Sequence, residues 1–199
     1  MEMEKNNILK IILLGEAGVG KTNLINAVME RDFEKSSSPT LVSNSNLKEY
    51  EYKNKTYIYN LWDTAGQESY RAVNQFFIQD SKIILIVFAI VDKISFEEVD
   101  YWIKITKERL KEGEYIMALV GNKIDLFDDQ IVTEEEIKEK AKEYDMKYII
   151  TSACTQAADF RKFAQELILD YILLEKGDKI SGTITLNKKI KTTKKKCGC

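Results

Sequence analysis

Eight residues near the start of the chain, Gly15-Glu16-Ala17-Gly18-Val19-Gly20-Lys21-Thr22, have the types and spacing to hold a phosphate. Glycines at this density let a backbone wrap an anion with its N–H groups pointing inward. Lys21 would supply a point charge to the β- and γ-phosphates, and the Thr22 hydroxyl a ligand to Mg2+. Three further stretches carry matching chemistry. In Trp62-Asp63-Thr64-Ala65-Gly66-Gln67-Glu68, Asp63 suits Mg2+ held through water, Gly66 offers a bare N–H to a γ-phosphate, and Gln67 suits a water aligned for attack. In Asn122-Lys123-Ile124-Asp125, the Asp125 carboxylate suits two N–H donors on the edge of guanine, a pair that adenine does not offer. Thr151-Ser152-Ala153 is a tight stretch able to aim backbone N–H groups at a base carbonyl.

Such groups act together only if the chain brings them to one place. The run Ile8 to Leu14 predicts a buried strand ahead of the glycine loop, and residues 21–30 a helix after it, whose positive end adds to the anion site. The polar stretch 31–46 predicts a loop. Residues 47–53 and 56–63 predict a hairpin turning at Asn54-Lys55, followed by an imperfect helix over 68–79. Strands are expected at 83–91, 115–120 and 147–150. Helices are expected from a Ser95/Glu98 capping box to about Lys111, from a Thr133/Glu136 capping box to about Tyr144, and over 157–174. The fold class is α/β: a six-stranded, mostly parallel sheet with one antiparallel edge strand and helices on both faces. In such sheets ligands sit beyond the carboxyl ends of the strands. Each of the four motifs falls at one of those ends.

The chain has 199 residues, 44% of them apolar, enough for one domain and its core. There is no histidine, which excludes His-based triads, general bases and metal ligands. Three cysteines, two of them at the extreme end, make no disulfide framework and suit a reducing, intracellular compartment. The acidic start, Met1-Glu2-Met3-Glu4-Lys5, does not open a secretory signal. The net charge of −2 conceals an asymmetry. From Lys176 to Cys199 there are eight lysines and one acid, +7, which leaves −9 for the rest. This division predicts a domain over 1–175 and a basic tail over 176–199, with a negatively charged surface rather than nucleic acid as its partner.

Taken together, G-x-x-x-x-G-K-T, D-T-A-G-Q, N-K-x-D and T-S-A resemble the small GTPases of the Ras superfamily, and most the Rab branch. Trp62 before Asp63 and the ending Cys197-Gly198-Cys199 are similar to Rab features. The resemblance covers about residues 8–175 and the last three residues. It implies a P-loop small-GTPase fold and a switch that binds GTP and GDP with Mg2+ and hydrolyses GTP slowly. Implied nucleotide contacts are Glu16, Ala17, Gly18, Val19, Gly20, Lys21, Thr22, Asn23, Phe33, Thr40, Gly66, Asn122, Lys123, Asp125, Leu126, Ser152, Ala153 and Cys154. Phe33 stands where the family packs an aromatic against guanine, and Thr40 where its first switch loop binds the metal. Thr22, Thr40 and Asp63 are the implied metal set, and Gln67 and Lys21 the implied catalytic residues. Cys197 and Cys199 are the implied geranylgeranylation sites. Implied partners are a membrane, an exchange factor, a GAP, a GDP-dissociation inhibitor or escort protein, and effectors. The implied place is the cytoplasmic face of intracellular membranes, cycling with the cytosol, and the implied process vesicle trafficking. The sequence departs from the family at Ala17, at Leu41-Val42-Ser43-Asn44 and at Gln156-Ala157-Ala158. Two other classes share the phosphate loop: a module that binds nucleotide without turnover, and an ATPase or kinase. Gln67 argues against the first and Asp125 against the second.

Overall fold

Leu9–Leu14 (β1) is apolar on both faces because both faces are covered, as its nearly unbroken burial requires. The computed structural model describes residues 8–35, 40, 44–64 and 76–177. Within them the elements follow in the order β1, α1 (Lys21–Val28), β2 (Asn44–Tyr52), β3 (Lys55–Asp63), β4 (Ile83–Ala89), α2 (Lys93–Glu97), α3 (Val99–Arg109), β5 (Ile116–Asn122), α4 (Glu134–Glu143), β6 (Lys147–Ile150) and α5 (Ala157–Glu175). A 3-10 turn, Ile124–Asp129, lies between β5 and α4. The sheet has six strands in the order β2-β3-β1-β4-β5-β6. Only the β2–β3 pair is antiparallel, which places one antiparallel strand at an edge as expected.

Two apolar layers lie on the two faces. One packs α1 and α5 on the sheet through Leu24, Val28, Phe160, Phe163 and Leu167. The other packs α2, α3 and α4 through Phe96, Trp102, Ile103 and Ile137. The alternating faces of β1 serve both: Ile11 and Leu13 point to the first layer, Ile12 and Leu14 to the second. The parallel order directs the carboxyl ends of β1, β3, β4, β5 and β6 to one side of the molecule. The loops after β1, β3, β5 and β6, which begin the four motifs, leave from that side.

Local chemistry sets several boundaries. The hairpin turns at Lys53-Asn54, one residue earlier than expected, with both residues at positive φ (48° and 59°). That is the two-residue turn whose twist matches antiparallel strands, and asparagine tolerates it well. Thr133 and Glu136 form the predicted capping box at the start of α4, a device of about 1 kcal/mol for the Thr side chain. The expected Ser95/Glu98 box is not formed. Asp92 caps the helix instead, its carboxylate accepting the Ser95 N–H at 3.2 Å, so the helix starts one turn earlier at Lys93. The Ser95 hydroxyl is turned inward, donating to the Asp92 carbonyl at 2.8 Å. Most of the helix expected over 68–79 lies outside the described residues; Phe76–Ile78 are helical. The tail beyond Gly177 also lies outside them.

Candidate functional site

The glycine loop leaves β1 under two constraints. Gly15 has φ of +142°, and a Cβ there would stand 2.0 Å from the Val87 carbonyl oxygen of β4. Gly20 has φ of +96°, and a Cβ there would stand 2.3 Å from the Asn122 side-chain nitrogen. Neither position has space for a side chain. The loop passes that close because Asn122 holds it: Nδ2 donates to the Val19 carbonyl at 2.8 Å, and Oδ1 accepts the Ala153 N–H at 3.1 Å. Both ends of this buried amide are therefore used to join the phosphate loop to the 151–155 turn. Asn122, an implied nucleotide contact, is also a strut between two loops.

Lys21 opens α1 and is only 6% exposed. Its ammonium donates to the Gly15 and Glu16 carbonyls, each at 2.8 Å. Burial lowers its pKa to about 8, opposed by the charges of Asp63 and Glu16. A buried cation held by neutral carbonyls is poised for an anion, because a phosphate would supply the charge that the carbonyls lack. Ala17 and Gly18 are exposed on the loop, and Val19 is buried beneath it.

Thr22, Thr40 and Asp63 come together from α1, the 31–43 connection and the end of β3. Thr22 donates to Asp63 Oδ2 at 2.7 Å. Thr40 lies 3.1 Å from the Thr22 hydroxyl and 3.4 Å from the same Asp63 oxygen. Asp63 is 5% exposed, and its Oδ1 is buried with no hydrogen-bond partner among the described residues. Burial raises its pKa, opposed by the Thr22 bond, the Lys21 charge and the Thr40 bond. Two hydroxyls and a buried carboxylate with one oxygen unpartnered among the described residues are hard oxygen donors of the kind that would hold Mg2+. No cluster of three His, Cys, Asp or Glu side chains occurs among the described residues. Thr64 anchors this end of β3 by donating to the Leu13 carbonyl at 2.6 Å. Gly66 and Gln67 lie outside the described residues.

The base-reading residues come from β5 and β6. Lys123 takes a left-handed conformation (φ +70°), which turns the chain so that Asp125 and Leu126 enter the 3-10 turn half-buried. Asp125 Oδ1 accepts the Ser152 hydroxyl at 2.5 Å. The Ser152 oxygen in turn accepts the N–H groups of Cys154 and Thr155 at 3.1 and 3.0 Å. Ser152 and Ala153 are buried and Cys154 half-buried. A carboxylate aimed by a buried hydroxyl, beside a turn that fixes backbone N–H groups, is an arrangement for reading a planar heterocycle by its edge.

Asn23 and Phe33 form the remaining wall. Asn23 exchanges two bonds with the Glu34 backbone: its Oδ1 accepts the N–H at 2.9 Å and its Nδ2 donates to the carbonyl at 3.0 Å. This pairing fixes the segment that carries Phe33. At 38% exposed, Phe33 is not a core residue; its ring is available to a ligand face. The sequence reading missed the roles of Glu34 and Thr64. Glu34 acts through its backbone, which leaves no side-chain signal. Thr64 had one, a hydroxyl directly after the strand-end Asp63.

Comparison with known proteins agrees with this geometry. Residues 10–170 match the model of the Ras family. The chain is 35% identical over 153 residues to the Ras-related protein RabC of Dictyostelium discoideum, an alignment that covers 76% of this chain and 78% of that protein.

Proposed function

The chain belongs to the Ras family as a Rab-like small GTPase, a GTP-binding and GTP-hydrolysing switch of membrane trafficking, and we propose how its residues divide that work. The observation that carries the assignment is the meeting of Lys21, Thr22, Thr40 and Asp63 at one end of the sheet, with Asp125 and Ser152 beside them. On this reading Lys21 exchanges its carbonyl partners for the β- and γ-phosphates. Thr22 and Asp63 hold Mg2+, Thr40 joins them only in the GTP state, and Asp125 selects guanine. Held by Thr22 and, through water, by Asp63, Mg2+ would supply positive charge against the charge that develops on the phosphates during transfer.

Gln67 orients the attacking water. Gln67→Leu keeps bulk and removes the amide, so single-turnover hydrolysis should fall at least tenfold, about 1.4 kcal/mol of barrier. GTP affinity should change little. A rate equal to that of the parent would remove Gln67 from the mechanism. No arginine stands among the residues assigned to the phosphates, so the intrinsic reaction should be slow, and a GAP arginine would add roughly 10³–10⁵-fold.

The metal assignment makes a separate demand. Since Thr40 joins Thr22 at the metal only with GTP, Thr22→Asn should weaken GTP binding more than GDP binding. The comparison is made by competition against a fluorescent nucleotide in millimolar Mg2+. An equal loss for both nucleotides would count against the differential role of Thr40.

Membrane attachment is proposed from the tail. Among the described residues no helix is long and apolar enough to cross a bilayer. Cys197 and Cys199 would each carry a prenyl chain, and the lysines of 176–199 would add attraction to anionic lipid. Two lipid chains anchor stably where one does not, while lysines alone exchange and are screened by salt. Replacing both cysteines by Ser should therefore move the protein to the soluble fraction of cells. Sedimentation of that variant with membranes at high salt would place the anchor elsewhere.

A further inference from the structure

A second concavity lies at the opposite end of the sheet from the nucleotide site. It has a volume of about 560 Å3, within the range of sites that take up organic groups. Its apolar lining comes from Leu110, Ile116, Met117, Tyr144, Met146 and Leu174. Ile116 begins β5, whose far end is Asn122, so this cavity and the base-reading residues are separated by the length of that strand. One ion pair and one cation–π contact brace its walls. Lys147 is bonded to the nearly buried Asp170 of α5, and the Lys107 ammonium stands 5.0 Å from the centre of the Tyr144 ring. Two more acids, Glu112 and Asp145, line it. The cavity thus combines an apolar floor with an excess of negative charge.

We propose that this cavity receives the first half of the chain's own tail, with Ile180, Ile184 and Leu186 seated on the apolar floor. Three observations point to that occupant. Leu174, one of the lining residues, is three positions before Gly177, where the described chain ends. At about 3.3–3.6 Å per residue, Ile180 lies within about 10 Å of Gly177 and Leu186 within about 30 Å. The tail needs no long detour to reach the site. Second, Ile180, Ile184 and Leu186 are apolar residues in a stretch otherwise polar; a purely solvated linker has no use for them. Third, the stretch 178–186 is itself neutral, but six lysines follow it from Lys188 onward, and the lining has three acids against two lysines, so charge favours holding the adjoining tail near this cavity. Docking there would shield the tail's apolar residues while leaving the nucleotide site open. It would also place the chain end on the domain whenever it is not on a membrane.

The test is hydrogen exchange read by mass spectrometry on the full-length, unprenylated protein saturated with GDP. The parent is compared with a variant carrying Ile180→Asp, Ile184→Asp and Leu186→Asp. The substitutions leave the described residues 8–177 unchanged, so the variant should fold. Peptides covering 110–117 and 144–147 should exchange at least threefold more slowly in the parent, while peptides covering 15–22 should be the same in both. Equal exchange at the cavity would overturn the proposal. Protection that appears only as protein concentration rises would assign the cavity to a second copy and overturn it too. A difference that extends to the phosphate loop would show a global change in stability rather than docking.

Discussion

Asp125→Asn should turn the base preference of the protein from guanine towards xanthine. Guanine presents two donors on one edge, its ring N–H and its exocyclic amino group, and a carboxylate accepts both. Asn offers one acceptor and one donor. Its amide nitrogen would oppose the exocyclic amino group of guanine, yet it matches xanthine, which carries a carbonyl at that place. A bidentate pair of this kind discriminates by about 1–3 kcal/mol, or roughly 5- to 150-fold. The structure adds a reason to expect the upper half of that range. Asp125 is held by the buried Ser152 hydroxyl at 2.5 Å, so a mismatch cannot be relieved by swinging the side chain away. An Asn at this position keeps that bond through its own carbonyl oxygen. Competition between GTP and XTP for the purified variant measures the effect. A variant that still prefers GTP as strongly as the parent would take Asp125 out of base recognition.

Gly15→Ala should cost about 2–6 kcal/mol of stability. Two terms add. A residue with a Cβ is strained at φ of +142°, by about 1–3 kcal/mol. The methyl would also stand 2.0 Å from the Val87 carbonyl, a backbone atom of a central strand that cannot step aside. Forcing β1 and β4 apart is overpacking, typically another 1–3 kcal/mol. Gly18→Ala is the control. Gly18 also has positive φ, +75°, but nothing lies within 4 Å of its Cβ position. Only the backbone term of about 1–2 kcal/mol remains there. Urea unfolding of the two variants at one fixed GDP concentration gives the comparison, since bound nucleotide itself stabilises the folded state. Similar losses for both would show that the approach to Val87 is relaxed at little cost.

Several features were legible before any coordinates. The apolar run of β1 and the glycine spacing after it identify a strand, a phosphate loop and a helix, because the hydrophobic pattern and glycine chemistry are local properties. The alternation of strands and helices identifies a mostly parallel sheet, since a parallel connection needs a crossover. The Thr133/Glu136 cap was readable for the same reason: its bonds close within four residues. The Ser95/Glu98 pair shows where local reading fails. Two overlapping caps were available, and Asp92 prevailed because the Ser95 hydroxyl is drawn inward to the end of β4, close to the Ala89 N–H at 3.1 Å.

What only the tertiary structure decided are the long-range contacts that aim the motifs. Asn122 and Val19 are 103 residues apart, and Asp63 and Thr22 are 41 apart. No periodicity or spacing reports such pairs. They exist because five parallel strand ends open on one side of the sheet and bring their loops within hydrogen-bond reach. Sequence alone therefore determined which chemical groups this chain owns and that they belong to one kind of site. Packing of two helical layers on the sheet decided that Asn122 joins loops, that Lys21 is buried with carbonyls for partners, and that Asp63 has one oxygen without a partner among the described residues. The physical reason is a difference of scale. Propensity, capping and turn chemistry act over a few residues, whereas burial and the positioning of buried polar groups are fixed only when distant segments exclude water together.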